Sequence, residues 1–347
     1  MPHGQRPSKK ANLWEMVASG VGYHLDNFGR WLIGFVFKIG GAYAALLAPA
    51  EPQPHTQPSW RFAHEYYEQR RWLACRRGAL WEAAVRQAIT VPVTLRWYHG
   101  TMVDVMLGND NSLCLYVCGS FEPNEFALLD RILRPGMVFV DVGANDGYYT
   151  LFAARRIGAA GRVIAVEPST RERVNLNRNI ARNGLANVTV IPAAFGAACG
   201  TADLHLAQGV HSGHNTLGRF ANDGVKAESV ERVTVRTLDE VAAEIGLDRI
   251  DFMKIDVEGA EAAVIVGARR MIEATQPLIL LEISDKALRA QGSGARALID
   301  TLRHDLGYEI GIFSAQSGRI ELLGEGGDLS SNVLAMPRGR VSEIAGW

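Results

Sequence analysis

The sequence predicts a doubly wound α/β domain, with a mostly parallel sheet and an antiparallel edge, over about residues 121–337. Three observations predict it. After Gly136 short apolar runs alternate with helical segments, a glycine-rich turn joins the first run to its helix, and several of the runs end in an acid. The runs are MVFVDV (137–142), RVIAVE (162–167), VTVIPA (188–193), DFMKID (251–256) and PLILLEI (277–283). Helices are expected at Thr150–Ile157, Arg171–Asn183, Leu238–Ile245, Ala260–Ala274 and Ala295–Leu306. Two further β runs, TADLHLA (201–207) and ERVTVRT (231–237), bracket a loop rich in Gly, His and Asn, and YEIGIFS, RIELL and NVLAMP supply the antiparallel edge.

Upstream, EPNEFALLDRILR (122–134) has the pattern of an amphipathic helix that stops at Pro135-Gly136. VPVTLRWYHG, TMVDVMLG and SLCLYVCG, between Val91 and Gly119, predict a three-stranded antiparallel meander that forms a lid or wall for the α/β domain. Trp60–Ile89 reads as a helix with aromatic and basic residues, and EPQPHTQPS (51–59) as a linker. The expected units are therefore 1–59 (apolar helical segment and linker), 60–120 (helix and meander), 121–337 (α/β domain) and 338–347 (tail).

The apolar run from Trp31 to Ala48 reaches the lower length limit for a membrane span, but Gly34, Gly40 and Gly41 dilute it and Lys38 lies near its middle. Its long lead, containing Asp26, does not suit a signal peptide. A helix packed on the protein is expected, or peripheral docking to a membrane or protein partner through residues 14–48. With 36 basic and 37 acidic residues the chain has no global electrostatic footprint for nucleic acid, and none is expected as a partner. Cys75, Cys114, Cys118 and Cys199 form no C-x-x-C pair, which fits a reducing cytoplasm.

The first strand runs into Gly143-Ala144-Asn145-Asp146-Gly147 and then a helix near Tyr149 and Thr150. In a doubly wound fold a nucleotide-like ligand docks at that turn. Gly143 and Gly147 allow close backbone approach, and the amides at the helix start can receive a carboxylate. The spacing D-x-G-x-N-x-G is not the G-x-G-x-x-G of dinucleotide sites, and Asp141 would set a negative charge beside an ammonium or sulfonium. The second strand ends in Glu167-Pro168, where a carboxylate can accept both hydroxyls of a ribose. At the third strand the small residues around Ala194 leave room for a flat ring. A nucleoside cofactor is the expected ligand.

The fourth strand, DFMKIDVEGAEAAVI, places Lys254, Asp256, Glu258 and Glu261 at the same edge, and the fifth adds Glu282. Lys254 and Asp256 share a strand face, so one can hold the other, while Glu258 and Glu261 also suit a first helical turn. DVGANDGYYT, VIAVEPS and above all KIDVEGAE resemble the FkbM-type S-adenosylmethionine-dependent methyltransferases, over about Phe121 to Pro337. The resemblance implies a Rossmann-like methyltransferase fold, S-adenosylmethionine as cofactor, and O-methylation of a hydroxyl on a sugar, glycolipid, polysaccharide or related secondary metabolite. It also implies that Asn145, which stands where the wider methyltransferase pattern has a glycine, is normal for the family.

Such a transfer is an in-line displacement, helped by alignment of donor and acceptor and by a general base. The expected catalytic residues are Asp256 first, then Glu258 and Glu282, with Lys254 and, from the loop GVHSGHNTLG, His214 beside His211. Asp256 can instead orient the cofactor. The expected cofactor contacts are Asp141, Gly143, Ala144, Asn145, Gly147, Tyr149, Thr150, Glu167, Pro168, Ala194 and Asp256, and no metal is assigned. The competing classes are a nicotinamide-dependent sugar oxidoreductase, which lacks G-x-G-x-x-G and a Tyr-x-x-x-Lys dyad here, and a non-catalytic cofactor-binding module.

Overall fold

The computed structural model describes residues 71–347 apart from 88–90, 222–223, 315–316, 325–330 and 345–347. The expectations for 31–48 and 51–59 lie outside the described residues. The chain starts with helix α1 (Arg71–Arg86), hairpin strands β1 (Val91–Arg96) and β2 (Met102–Leu107), and helices α2 (Asp110–Cys118) and α3 (Pro123–Ile132). In the hairpin Val93 opposes Val105 and Leu95 opposes Val103, so its alternating apolar residues gather on one face.

The third strand expected of the meander is not formed; SLCLYVC is helix α2. Cys114, Leu115, Tyr116 and Val117 are consecutive and all buried. A run buried on every side shows no period, so apolar content alone cannot separate strand from helix, and Asn109-Asp110 ahead of it are helix-starting residues. Trp97, Tyr98 and Phe126 interlock with Phe152 of the following domain, at centroid separations of 4.8–6.2 Å.

The α/β domain follows with β3 (Val138–Val142), α4 (Tyr148–Ile157), β4 (Arg162–Val166), α5 (Thr170–Arg182), β5 (Val188–Ile191), β6 (Ala194–Phe195), β7 (Gly200–Ala207), β8 (Ala227–Arg236), α6 (Leu238–Glu244), β9 (Phe252–Ile255), α7 (Glu261–Gly267), α8 (Arg269–Thr275), β10 (Leu278–Ile283), α9 (Asp285–Ala290) and α10 (Ala295–Asp300). It closes with β11 (Tyr308–Phe313), β12 (Ile320–Leu322), β13 (Ser331–Pro337) and α11 (Val341–Ile344). Eight strands make one sheet in the order β12-β11-β13-β10-β9-β3-β4-β5. Strands β5, β4, β3, β9 and β10 are parallel, and β13, β11 and β12 add the antiparallel edge. The chain leaves β3 towards β4 and β5, then returns to β9 on the other side of β3. The crevice beyond the carboxyl ends of β3 and β9 is thus the topological switch point, where ligands of open α/β sheets bind.

Strand alternation builds a core on each face of the sheet. Phe139 and Phe252 stack at 5.4 Å and join the aromatic N-terminal layer, whereas Val140, Val142, Met253 and Ile255 pack against α6 to α9. The single helix expected at 260–274 is broken at Ala268. A Cβ on Gly267 would lie 2.0 Å from the Gly196 carbonyl, so α7 ends packed tightly against the chain after β6. Helix α10 passes into a π turn, Thr301–Asp305. Strands β6, β8 and β7 form a separate three-stranded sheet beside the crevice. Neither Cys114 (buried) nor Cys199 (exposed) is in a disulfide. Among the described residues no helix is long and apolar enough to cross a membrane.

Candidate active site

At the end of β3 the chain turns sharply: the amides of Gly143 and Ala144 both donate to the Val166 carbonyl of β4, at 3.0 Å each. Gly143 has φ +82°, and a Cβ there would sit 1.8 Å from the Asp256 carbonyl oxygen. Only glycine fits, and its absent side chain leaves the turn lying flat against β9. Asn145, at φ +48°, then sends its amide to Glu167 Oε2 (2.9 Å), and Ser169 sends its own to Glu167 Oε1 (2.8 Å). Burial pushes the Glu167 carboxyl up to about 8, against the pull of these amides.

One cavity joins these parts, with about 920 Å³ of empty space including its open mouth. Glu167 and Pro168 line one side, with Ala194, Phe195, Leu204 and Leu217 forming an apolar recess next to them. Gly143, Ala144, Asn145 and Asp146 form the floor, and Tyr148, Tyr149, Lys254, Asp256 and Glu258 line the far end. Among the described residues of 91–120 none lines it, so the hairpin is not the expected lid or wall. Instead it is fastened behind α5: Asn179 accepts from the Asp104 amide (2.7 Å), Asn183 from the Met102 amide (2.8 Å), and Arg182 pairs with Asp104 (2.8 Å).

The far end centres on Lys254. Its Nζ lies 3.0 Å from Asp256 Oδ2, 3.1 Å from the Gly143 carbonyl and 3.9 Å from Asp141 Oδ1, and 5.0 Å over the Tyr149 ring. Burial works against the ammonium, but the carboxylates of Asp256, Asp141 and Glu122 outweigh it and push its pKa up. For Asp256 burial opposes ionisation, and Lys254 with a hydrogen bond from Glu282 overcomes it and holds the carboxyl below its usual range. Glu282 moves the opposite way, well up, because it faces the Asp256 charge and is partly desolvated. Asp256, Glu258 and Glu282 each bring an oxygen within 4.8 Å of the others.

Glu258 is held unusually. It has φ +52°, and its carbonyl accepts from Thr216 Oγ1 (3.0 Å) and Gln291 Nε2 (2.7 Å), while its Oε1 lies 2.9 Å from His214 Nδ1. The loop between β7 and β8 and the end of α9 therefore converge on one residue. Gly259 permits it, since a Cβ there would meet the Ala287 carbonyl at 2.5 Å. Glu261, the first residue of α7, ties down the turn ahead of the helix by accepting the amides of Val257 (3.2 Å) and Gly259 (3.1 Å).

Residues 141–310 match the profile described as the methyltransferase FkbM domain. These residues are an FkbM methyltransferase domain. The chain is 27% identical over 190 residues to the 2-O-methyltransferase NoeI of Sinorhizobium fredii, covering 50% of this chain and 74% of that protein. It is 27% identical over 197 residues to the methyltransferase sdnD of Sordaria araneosa, covering 49% and 73%. Against the AMB antimetabolite synthetase AmbE of Pseudomonas aeruginosa the identity is 35% over 212 residues, covering 52% of this chain, and the chain spans only 10% of that protein's length. Among solved structures, the methyltransferase FkbM of Methylobacillus flagellatus aligns at 16% identity and a TM-score of 0.37, over 76% of this chain and 60% of that one. The oxidoreductase alternative gives way to the methyltransferase domain.

Within the FkbM methyltransferase domain, the structure brings Gly143, Ala144, Asn145, Tyr149, Glu167, Pro168, Ala194, Lys254, Asp256 and Glu258 to one cavity. It places Asp141 and Thr150 behind the cavity wall. The Asp141 carboxylate is 0% exposed and accepts from Thr150 Oγ1 (2.6 Å), with Lys254 between it and the cavity edge. Gly147 turns the chain beneath the floor, its α-carbon facing Leu176. His214 reaches the site through Glu258; His211 stands one ring farther back, 6.2 Å from His214. Sequence reasoning missed Glu122, Glu125 and Asn332. Tyr149 donates to Glu122 (2.5 Å), and Asn332 of β13 donates to Glu122 (2.8 Å) and Glu125 (2.9 Å). Burial, followed by the neighbouring Glu122 charge, pushes Glu125 up to about 8. Their signal was E-P-N-E at a helix start, which reads equally well as acids complementing a helix dipole.

Proposed function

We propose that the protein is an S-adenosylmethionine-dependent O-methyltransferase acting on a hydroxyl of a sugar, glycolipid, polysaccharide or related secondary metabolite. One observation carries this: a single cavity runs from a strand-end carboxylate, Glu167, to a cluster of acids around Asp256 and Glu258. The residues fit the cofactor. Glu167 has both oxygens steered by backbone amides and can accept the ribose hydroxyls, the recess at Ala194 and Phe195 suits adenine, and the bare face of Gly143 admits a chain over the turn. When bound, S-adenosylmethionine supplies an electrophilic methyl group on a sulfonium.

The chain's own residues then have separate tasks. Lys254 and Asp256 neutralise each other and brace β9 against the Gly143 turn. Because Asp256 is tied to Lys254, Glu258, paired with His214, is the better acceptor for the hydroxyl proton than Asp256. Glu282 lies beside both. The 2-O-methyltransferase relative supports an oxygen as the methyl acceptor. We place the reaction in the cytoplasm, with docking through residues 14–48 to a membrane or protein partner near a lipid-linked acceptor.

Calorimetry tests the cofactor. Wild type should bind S-adenosylmethionine, and Glu167→Ala should bind it far more weakly; no binding by wild type, or undiminished binding by the variant, refutes the assignment. A tritiated-methyl assay on extracted polysaccharide, lipid and small-molecule pools, with mass spectrometry of labelled products, then identifies the acceptor. Fractionation of cells with and without residues 1–55 tests docking, and equal, fully soluble behaviour retires it.

A further inference from the structure

Glu258 lines the cavity yet keeps a left-handed backbone, φ +52°, while carrying a full side chain. Such a conformation persists only where its surroundings over-determine it. Here they form a triangle of hydrogen bonds. The Glu258 carbonyl accepts from Thr216 Oγ1 (3.0 Å) and from Gln291 Nε2 (2.7 Å), and Gln291 Nε2 also donates to Thr216 Oγ1 (3.2 Å). The Gly218 amide donates to the same hydroxyl (3.1 Å). Thr216 is 1% exposed, and neither it nor Gln291 lines the cavity, so the triangle lies behind the wall that Glu258 forms.

Each outer corner is anchored on its own. Thr216 exchanges two backbone hydrogen bonds with His205 of β7 (2.9 and 3.2 Å), and the neighbouring Asn215 side chain accepts from the Ala207 amide (2.9 Å) and from Arg171 (3.2 Å). Gln291 ends α9 and reaches in through a slot between two glycines: a Cβ on Gly218 would lie 2.5 Å from its Cγ, and one on Gly259 would lie 2.7 Å from its Nε2. The loop thereby touches Glu258 twice, with Thr216 at the carbonyl and His214 Nδ1 at the carboxylate (2.9 Å). Fixing Thr216 fixes the spacing at which His214 meets that carboxylate. Without the triangle, φ can leave the left-handed region, and the Glu258 side chain swings with it. We propose that Thr216 and Gln291 are positioning residues that hold the Glu258 carboxylate where it accepts the hydroxyl proton, an inference that rests on the role given to Glu258 above.

The test measures tritiated-methyl transfer by the full chain, from saturating S-adenosylmethionine to the extracted pool that wild type labels, alongside calorimetry with S-adenosylhomocysteine. Thr216→Val keeps the β-branched shape without the hydroxyl, and Gln291→Met keeps the length without the donor. Each should slow transfer by at least about 10-fold while S-adenosylhomocysteine affinity stays within about twofold, and Thr216→Ser, which restores the hydroxyl, should recover most of the rate. The half-buried Gln291 supplies the variant to rely on should Thr216→Val fold poorly. A mere loop contact would also slow transfer, so the deciding measurement uses a Glu258→Gln background. There the same substitutions should cost less than about twofold further, because residues that act through Glu258 have nothing left to position. Losses that multiply in that background overturn the proposal, as do wild-type rates in both single variants or a Thr216→Ser as slow as Thr216→Val. A Glu258→Gln chain that transfers at the wild-type rate refutes instead the proton-accepting role of Glu258 itself.

Discussion

Replacing Gly143 by alanine should break the junction of β3 and β9. The left-handed dihedral costs an L residue about 1–2 kcal/mol by itself. At Gly158, which ends α4 at φ +66° and ψ −173° with nothing within 4 Å of an added Cβ, an alanine meets no neighbour and carries only the backbone cost of that glycine region, about 1–3 kcal/mol. At Gly143 the Cβ would also lie 1.8 Å from the Asp256 carbonyl oxygen. No flexible side chain can yield there. The Asp256 amide is bonded to the Val142 carbonyl at 3.1 Å, and Lys254 bonds the Gly143 carbonyl, so retreat breaks the strand pairing and the lysine's anchor together. Overpacking adds about 1–3 kcal/mol, for a total of roughly 2–5 kcal/mol. Urea unfolding of Gly143→Ala and Gly158→Ala, with S-adenosylhomocysteine calorimetry on each, measures the difference. If Gly143→Ala is no less stable than Gly158→Ala and binds like wild type, the close approach of turn and strand is not what shapes this site.

Three further outcomes follow from the same geometry. Lys254→Met strands the fully buried Asp141 and should cost about 3–5 kcal/mol at pH 7 in urea melts, with a penalty that shrinks as pH falls, because burial favours the protonated Asp141 once the lysine is gone. The carboxyls of Glu125 and Glu167 (about 8) and of Asp146 and Glu261 (about 7) are raised in the fold, so their stability contribution is complete below about pH 4 and is lost as pH rises through 7–8. Each can add a slope of up to about 1.4 kcal/mol per pH unit, so Tm should fall between pH 5 and pH 8.5; a rising Tm would contradict the burial of these groups. His214→Ala should leave S-adenosylhomocysteine affinity within about twofold while slowing methyl transfer to the tritium-labelled acceptor by at least about 10-fold, and His214→Asn should recover part of it; equal loss in both variants would reduce His214 to a loop contact.

The parallel core of the fold was legible because each strand is a short apolar run ending in an acid or a glycine turn, and those ends define the crevice. KIDVEGAE was legible for a related reason: it gathers distinct tasks in adjacent positions. Lys254 and Asp256 pair, Glu258 faces the cavity, Gly259 admits α9, and Glu261 ties down the turn. Helix α2 was misread because a run buried on all sides has no period, and α9 was overlooked because six residues are too few to show one. Asp141 was misplaced for a different reason. A strand-end acid can face the ligand or the neighbouring strand, and here Asp141 lies opposite Lys254 in the register, so the lysine takes it.

What stayed illegible is the cluster of Glu122, Glu125 and Asn332 behind Tyr149, and chain separation is the cause. Asn332 meets Glu122 across 210 positions of sequence, and Tyr149 meets Glu122 across 27. No local pattern can announce such a pair. The matched family region stops at residue 310 and starts at 141, so Phe121, Glu122 and Glu125 before it and Asn332 after it lie outside the part that defines the domain. Yet Phe121 lines the cavity, and Glu122 touches Tyr149, whose ring lies under the Lys254 ammonium. On the proposed function the residues assigned to the cofactor and to proton transfer lie within the matched region, whereas Phe121 on the cavity wall and Glu122 and Asn332 behind Tyr149 come from segments outside it. Two proteins can share KIDVEGAE and methylate different hydroxyls, and substitutions at Phe121, Glu122 and Asn332 should alter acceptor preference in the labelled-product assay before they alter S-adenosylhomocysteine binding.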